Sequence, residues 1–278
     1  MKTADLITHA YPPATTDAVE VAVAVAREVG WRLVADRDGI EGEPPAGVEA
    51  ATDADSPELC LVLGGDGSIL RALRRYAGTD VPVFGVNFGT VGFLAAVERG
   101  DAAAGISRAL AGEIETVQLP GLEVSHGAEK RLGFNDIALA RRPQDRVAEL
   151  TYLIAGEEVG HVRCDGLVAA TPAGSTGYNL ANQGPILAWG VKGYVVSYIS
   201  PHSLTARALV VAPGDVLHVG NAEGREPVEV LVDGEQIGEL APGDGLEIRF
   251  VDAAGRLAQL AGSSFYQRIR EKFGHLAV

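Results

Sequence analysis

Residues 59–75, Leu-Cys-Leu-Val-Leu-Gly-Gly-Asp-Gly-Ser-Ile-Leu-Arg-Ala-Leu-Arg-Arg, restrict the possible folds more than any other stretch of the chain. The apolar run 59–63 reads as a buried strand, and it breaks at Gly64, Gly65, Asp66 and Gly67. A helix should follow, with Ser68 as N-cap and Ile69, Leu70 and Leu73 as its buried face. A strand, a glycine turn and a helix N-terminus make a ready anion site. Glycines let a ligand approach the backbone, and the first N–H groups of a helix lack intrahelical partners. Asp66 is the unusual member. A carboxylate where phosphates bind is electrostatically costly unless it has a task. Two tasks fit: holding a magnesium ion, or taking a proton from an attacking hydroxyl. The ordinary alternative is a βα turn with an aspartate cap, since short glycine motifs recur by chance.

Around this stretch, strand and helix patterns alternate. A first strand is expected over 5–9, ending at Tyr11-Pro12-Pro13. A helix capped by Thr15 or Thr16 should run to about Arg27, with Gly30 at C′. Residues 31–35 read as a second strand, 36–58 as a loop, 81–86 as a strand and 101–110 as a helix. Such alternation implies a mostly parallel sheet covered by helices, with ligands beyond the carboxyl ends of its strands. After about residue 115 the pattern changes. Segments 115–125, 131–141, 149–155, 159–163, 167–171, 193–199, 207–211, 215–219, 227–232, 236–240 and 245–251 read as strands. They predict a sandwich or layered antiparallel sheets, with Asp233-Gly234 as a hairpin turn. Residues 263–273 return to helix, with Phe265, Ile269 and Phe273 on one face and Arg268 and Lys272 on another.

Composition narrows the function classes. The formal charge is −14, which argues against nucleic acid or an anionic membrane as partner. Only four of the 23 basic residues are lysine, namely Lys2, Lys130, Lys192 and Lys272. That balance fits a salt-adapted proteome or a GC-rich genome, and the first is preferred. No apolar run reaches membrane-spanning length, and the N-terminus lacks the pattern of a signal peptide. Cys60 and Cys164 are expected as reduced thiols of a cytoplasmic protein, and no His or Cys spacing supports a zinc site. No protein-built metal site is expected.

A second constellation spans 161–187. A strand over 167–170 runs into a loop containing Thr171, Pro172, Gly174, Ser175, Thr176, Gly177, Tyr178 and Asn179. Small hydroxyls, glycines and one aromatic ring can bind the polar edge and flat face of a nucleotide. A polar turn between strands has the same composition. Gly133-Phe134-Asn135-Asp136 places an amide beside a carboxylate at a strand.

Taken in order, these pieces gain specificity. Gly-Gly-Asp-Gly-Ser is followed by Asn-Phe-Gly-Thr-Val-Gly-Phe-Leu (87–94), Phe-Asn-Asp (134–136), then Asp165-Gly166 and Thr-Pro-Ala-Gly-Ser-Thr-Gly-Tyr (171–178). Pro201-His202-Ser203-Leu204 and Val232-Asp233-Gly234 come after them. This ordered set closely resembles the NAD kinase family over most of the chain, from Leu59 to about Phe273. The 171–187 motif is highly specific to it, whereas lipid kinases and phosphofructokinases share Gly-Gly-Asp-Gly.

The resemblance implies an α/β domain (1–114), a β-rich NAD-binding domain (115–255) and a C-terminal segment (256–278) packing back on the first. It implies phosphoryl transfer from ATP, or another triphosphate or polyphosphate, to the 2′-hydroxyl of the adenosine ribose of NAD, giving NADP. Magnesium or another divalent cation would assist. Asp66 matches the proposed base and Gly67 the adjacent nucleotide contact. Phe93 falls in the second glycine motif, and Arg71 would help neutralise phosphate charge. Asn135 and Asp136 match an Asn-Glu pair, shortened here to Asp. Arg163 and Asp165 match positions near the dinucleotide, and Asp165 would reach a ligand bound by a neighbouring subunit of a homodimer or homotetramer. Thr176, Tyr178 and Asn179 match the adenosine-binding run, with Leu180 and Ala181 beside them. Gly177 replaces the usual Ala, Asn182-Gln183 replaces a small-residue pair, and Glu235 stands where Gln is common. Two rival readings are another kinase of the Gly-Gly-Asp-Gly group, acting on a lipid or sugar, and a non-catalytic dinucleotide sensor. The first gives no reason for the 171–187 loop, and the second gives no use for Asp66.

Overall fold

A computed structural model of the chain describes residues 1–8, 12–36, 44–126, 129–223 and 225–274. They form two compact units, Met1–Gln118 with Gly255–Val278, and Leu119–Ala254. His9 and Tyr11, at the end of the expected first strand, and 37–43 of the expected loop lie outside the described residues.

In the first unit strands and helices alternate: β1 (Lys2–Thr8), α1 (Pro12–Glu28), β2 (Trp31–Ala35), a two-residue β3 (Glu49–Ala50), β4 (Leu59–Gly64), α2 (Asp66–Arg75), β5 (Val83–Asn87), β6 (Val97–Glu98) and α3 (Ala102–Leu110). The strands pair in parallel in the order β5-β4-β1-β2-β3, with β6 also on β5. β4 is buried along its whole length, as a near-continuous apolar strand of a covered parallel sheet must be. Leu6, Leu61, Leu63 and Phe84 share a core with Ala22 of α1 and Ile106 of α3. α1 starts ahead of the expected Thr15 or Thr16 cap. Its opening prolines suit a first turn whose N–H groups would be unbonded anyway. α2 buries Ile69, Leu70 and Leu73 as expected. Its N-cap, however, is Gly65 and not Ser68, which lies one turn inside the helix and is buried. Gly65 is already extended, and its carbonyl accepts from the N–H groups of both Ser68 and Ile69.

The second unit is entered along β7 (Ile114–His126). It continues through β8 (Glu129–Gly133), β9 (Asp136–Ala140), β10 (Ala148–Ile154), β11 (Glu157–Cys164), β12 (Gly166–Ala170), the single-turn α4 (Tyr178–Ala181), β13 (Tyr194–Ile199), β14 (Leu209–Val211), β15 (Leu217–Asn221), β16 (Val228–Val232), β17 (Glu235–Leu240) and the start of β18 (Gly245–Leu260). A six-stranded antiparallel sheet runs β14-β13-β12-β9-β16-β17, and a second antiparallel set runs β11-β10-β15-β18. Period-2 alternation divides the side chains of β9 and β12 between two faces. Ile137, Leu139, Leu167 and Ala169 join Leu150, Val162, Leu217 and Ile248 of the other set in one core. Ala138, Val168 and Ala170 pack with Leu187 and Val195 on the opposite face. This is the sandwich-like layering that the strand spacing implied. Asp233 (φ 48°) and Gly234 (φ 81°) make the two-residue turn of the β16–β17 hairpin.

Three further expectations need correction. The strand predicted over 131–141 is two strands, broken at Phe134-Asn135, where the backbone amides turn to a side chain instead of a ladder. The strand predicted to end at 251 continues to Leu260, returning the chain to the first unit, where Leu257 and Ala258 pair in parallel with Val83 and Phe84. The final helix α5 (Phe265–Phe273) is capped by the Ser264 side chain, but Arg268 and Lys272, both half-buried, do not form a face separate from the apolar one. Arg268 packs on the same side as Phe265 and Ile269, with its charge met by backbone carbonyls. Cys60 and Cys164 are free and buried. Among the described residues no helix is long and apolar enough to cross a membrane.

Candidate active site

In the first unit the ends of β4 and β5 bring both glycine motifs together. Gly64 is paired with Asn87, and the turns that follow touch through glycine backbone: a Cβ on Gly89 would lie 2.9 Å from the Cα of Gly65. Asp66 is the first residue of α2, yet it does not cap that helix. Its Oδ2 accepts the Phe93 N–H and its Oδ1 the Leu94 N–H, each at 2.9 Å. Gly67 beside it is exposed. Arg71 lies one turn along α2, exposed, and donates from Nη2 to the carbonyl of Thr8 at 3.2 Å. The ring of Phe93 is buried, with the rings of Phe265 and Phe273 at 6.0 and 5.8 Å, so Phe93 offers its backbone to Asp66 and its ring to the core.

In the second unit a carboxylate organises the Asn135-Asp136 pair. Asp233 Oδ1 accepts the N–H groups of Asn135 (2.6 Å) and Asp136 (3.2 Å), and its Oδ2 that of Phe134 (3.1 Å). The Asp136 carboxyl, 6% exposed, is pushed up to about 7 by burial first and then by the charge of Asp233. The 171–187 motif is docked on the same pair. The Thr171 N–H donates to the Asn135 carbonyl at 2.9 Å, and a Cβ on Gly174 would stand 1.9 Å from that oxygen.

The predicted loop after β12 is more regular than expected. It holds a 3₁₀ turn over Gly174–Thr176 and then α4. Three fully buried polar side chains shape it. The Thr171 hydroxyl donates to Phe134 O, the Ser175 hydroxyl donates to Pro172 O and accepts from Leu187 N–H, and the Asn179 amide donates to Ser175 O and Pro185 O. Much of the motif's polarity is therefore spent inside the loop. Thr176 donates to Ala173 O, Gly177 and Ala181 are exposed, Leu180 is half-buried, and Tyr178 is 41% exposed. Burial and then the charges of Asp136 and Asp165 raise the Tyr178 phenol.

Arg163 is exposed on β11, and its carbonyl accepts the His202 N–H at 2.7 Å. Asp165, between β11 and β12, accepts from Arg141 Nε at 2.6 Å. Glu235 is exposed at the start of β17. Asp233, Arg141 and Arg268 act on these positions and were not picked out by sequence for that purpose. Asp233 carried a signal, since an aspartate at a tight turn often bonds nearby amides. The two arginines carried none, because their partners are distant in sequence.

Known proteins share the sequence pattern and the fold of this chain. Residues 46–114 match the profile of the ATP-NAD kinase N-terminal domain, and 134–259 that of the ATP-NAD kinase C-terminal domain. The NAD kinase of Symbiobacterium thermophilum is 34% identical over 266 residues, covering 91% of this chain and 94% of that protein. The NAD kinase of Leifsonia xyli subsp. xyli is 35% identical over 247 residues, covering 85% and 81%. Among solved structures, yeast NADH kinase complexed with NADH superposes with a TM-score of 0.86 at 21% identity, covering 100% of this chain and 89% of that one. An NAD kinase from Archaeoglobus fulgidus in complex with ATP gives 0.74 at 21%, covering 98% and 97%, and both likenesses speak to the fold. With both domain profiles matched and relatives above 30% identity along most of its length, the chain belongs to the ATP-NAD kinase family.

Proposed function

We propose that this chain transfers a phosphoryl group from ATP to the 2′-hydroxyl of the adenosine ribose of NAD, giving NADP, with Asp66 as the base. Family membership makes the chain an NAD kinase, a phosphotransferase acting on an alcohol. The observation that carries the role of Asp66 is its hydrogen bonding. Its carboxylate turns away from its own helix and is held by two N–H groups of 93–94. Each oxygen keeps a further lone pair, so the group can accept the ribose proton as the new O–P bond forms and the bond to ADP breaks. The free N–H groups at the start of α2, at Gly67, and the Arg71 guanidinium suit the negative charge of the phosphates.

Among the described residues no group of three or more His, Cys, Asp or Glu could hold a metal ion. The donor set does not fit a resident cation, so magnesium is assigned to the incoming triphosphate, as its preference for phosphate oxygens and water allows. Asn135, Thr176, Gly177, Tyr178, Asn179, Leu180 and Ala181 are assigned to adenosine, and Asp136, Arg163, Asp165 and Glu235 to the rest of the dinucleotide. Asp165 is assigned to a ligand held by a second copy of the chain, in a homodimer or homotetramer. Reduced, buried thiols agree with a cytoplasmic setting.

The test is NADP formation by wild type and Asp66→Asn across a magnesium series, with melting curves alongside. The variant should keep its fold and bind NAD, while turnover falls by roughly 10²-fold or more. Near-normal turnover would remove Asp66 from the chemistry, and recovery at high magnesium would make it a cation ligand instead.

A further inference from the structure

We propose that Arg268, on the last helix, is a positioning residue for Asp66, acting through the backbone of residues 93–95. The proposal rests on Asp66 being the base. Two N–H groups of this segment, those of Phe93 and Leu94, hold the two oxygens of Asp66. All three carbonyls of the same segment are taken from the other side. Arg268 Nη1 donates to Phe93 O at 2.9 Å and also to Ala95 O, and Gln259 Nε2 donates to Leu94 O at 3.1 Å. Arg268 Nη2 donates to Gln259 Oε1, which joins the two gripping side chains into one unit.

The Phe93 carbonyl and the Leu94 N–H belong to a single planar peptide. Arg268 therefore holds one edge of the plane whose other edge holds Asp66 Oδ1. A rotation of that plane moves both bonds together. The ring of Phe93, against Phe265 and Phe273 of the same helix, resists that rotation further. Gln259 alone grips the next plane, while Arg268 Nη1 spans the carbonyls on either side of it and Nη2 ties back to Gln259.

The guanidinium is half-buried, burial pulls it down, and the acidic groups that oppose this are Asp66, Glu271 and Glu98. A half-buried cation tied to backbone carbonyls is a poor choice for stability alone, since an apolar side chain of similar size often serves as well. Its value here is geometric. A base must stay within hydrogen-bond reach of the hydroxyl it deprotonates, and a shift of about 1 Å can cost roughly 10²-fold in rate.

The test uses the full chain carrying Arg268→Gln, Asp66→Asn, or both. Arg268→Gln should lower kcat by about 10- to 100-fold while the KM for NAD stays within about twofold. In the Asp66→Asn background, Arg268→Gln should lower kcat no further, because the group it positions has already lost its function. Its effect on melting temperature should be present in both backgrounds. Should Arg268→Gln fail to fold, Arg268→Lys is judged by the same criteria, since it keeps the charge but loses the second nitrogen that joins Gln259. A folded Arg268 variant with wild-type kcat, or losses that multiply in the double variant, would overturn the proposal. Full activity in Asp66→Asn alone would instead sink the assignment of the base, and the role of Arg268 with it.

Discussion

Replacing Asp233 by asparagine should give a stability loss that shrinks as pH rises, and the structure fixes the sign. Asparagine keeps one accepting oxygen. The N–H groups of Asn135 and Asp136 can still share it, but that of Phe134 would face an NH₂ group. Leaving one part-buried donor unpaired costs about 1–3 kcal/mol, and this loss does not depend on pH. The second effect does. Asp136 has a folded value raised from 3.8 to about 7, with burial the larger cause and Asp233 the smaller. A carboxyl whose folded value is raised stabilises the fold fully below its unfolded value, and that stability is lost as pH climbs through the folded value. A shift from 3.8 to about 7 is roughly three units, or ~4 kcal/mol lost between pH 4 and pH 8. Less than half of this, below ~2 kcal/mol, belongs to the charge of Asp233. Asp233→Asn removes that charge, so at pH 8 the variant regains part of what it lost. Urea unfolding at pH 5 and pH 8 measures both effects, and carboxyl NMR of Asp136 should show its midpoint falling in the variant. A penalty equal at the two pH values, or larger at pH 8, would refute the reasoning.

Two further predictions concern the second unit. Asn179→Ala leaves the carbonyls of Ser175 and Pro185 without their buried donor, so it should cost about 2–4 kcal/mol in urea unfolding and weaken NAD binding as the loop loosens. A loss under about 0.5 kcal/mol would mean the loop holds its shape without it. Asp165→Ala frees Arg141 from its ion pair and should weaken NAD binding in a folded protein. Light scattering of wild type at assay concentration should show an oligomer, and a fully active monomer would remove the second copy from the site.

What could be read in the sequence was what depends on near neighbours. The strand at 59–64 and the buried face of α2 follow from a local apolar pattern, and the hairpin at Asp233-Gly234 from a local dipeptide. The failures share the opposite cause. Ser68 looked like a cap because nothing nearby shows that Gly65 is already extended. The strand over 131–141 breaks because Asp233, about a hundred residues on, draws off its amides. The hydroxyls of 171–175 looked like ligand donors, and their use in folding the loop depends on the Phe134 carbonyl and the Leu187 N–H. Position in the ordered set of motifs pointed to candidate residues, but not to which of their atoms are already engaged.

The return of the chain along β18 has a consequence for biosynthesis. Arg268 and the Phe93 carbonyl it holds are 175 residues apart. At typical elongation rates of 5–20 residues per second, a ribosome needs about 10–35 s to cover that interval. Throughout that time the segment that steadies Asp66 exists without its carbonyl partners, and β5 waits for the strand whose Leu257 and Ala258 pair with its Val83 and Phe84. The nascent first unit therefore carries a complete Gly-Gly-Asp-Gly turn with a loosely held carboxylate until α5 has been made.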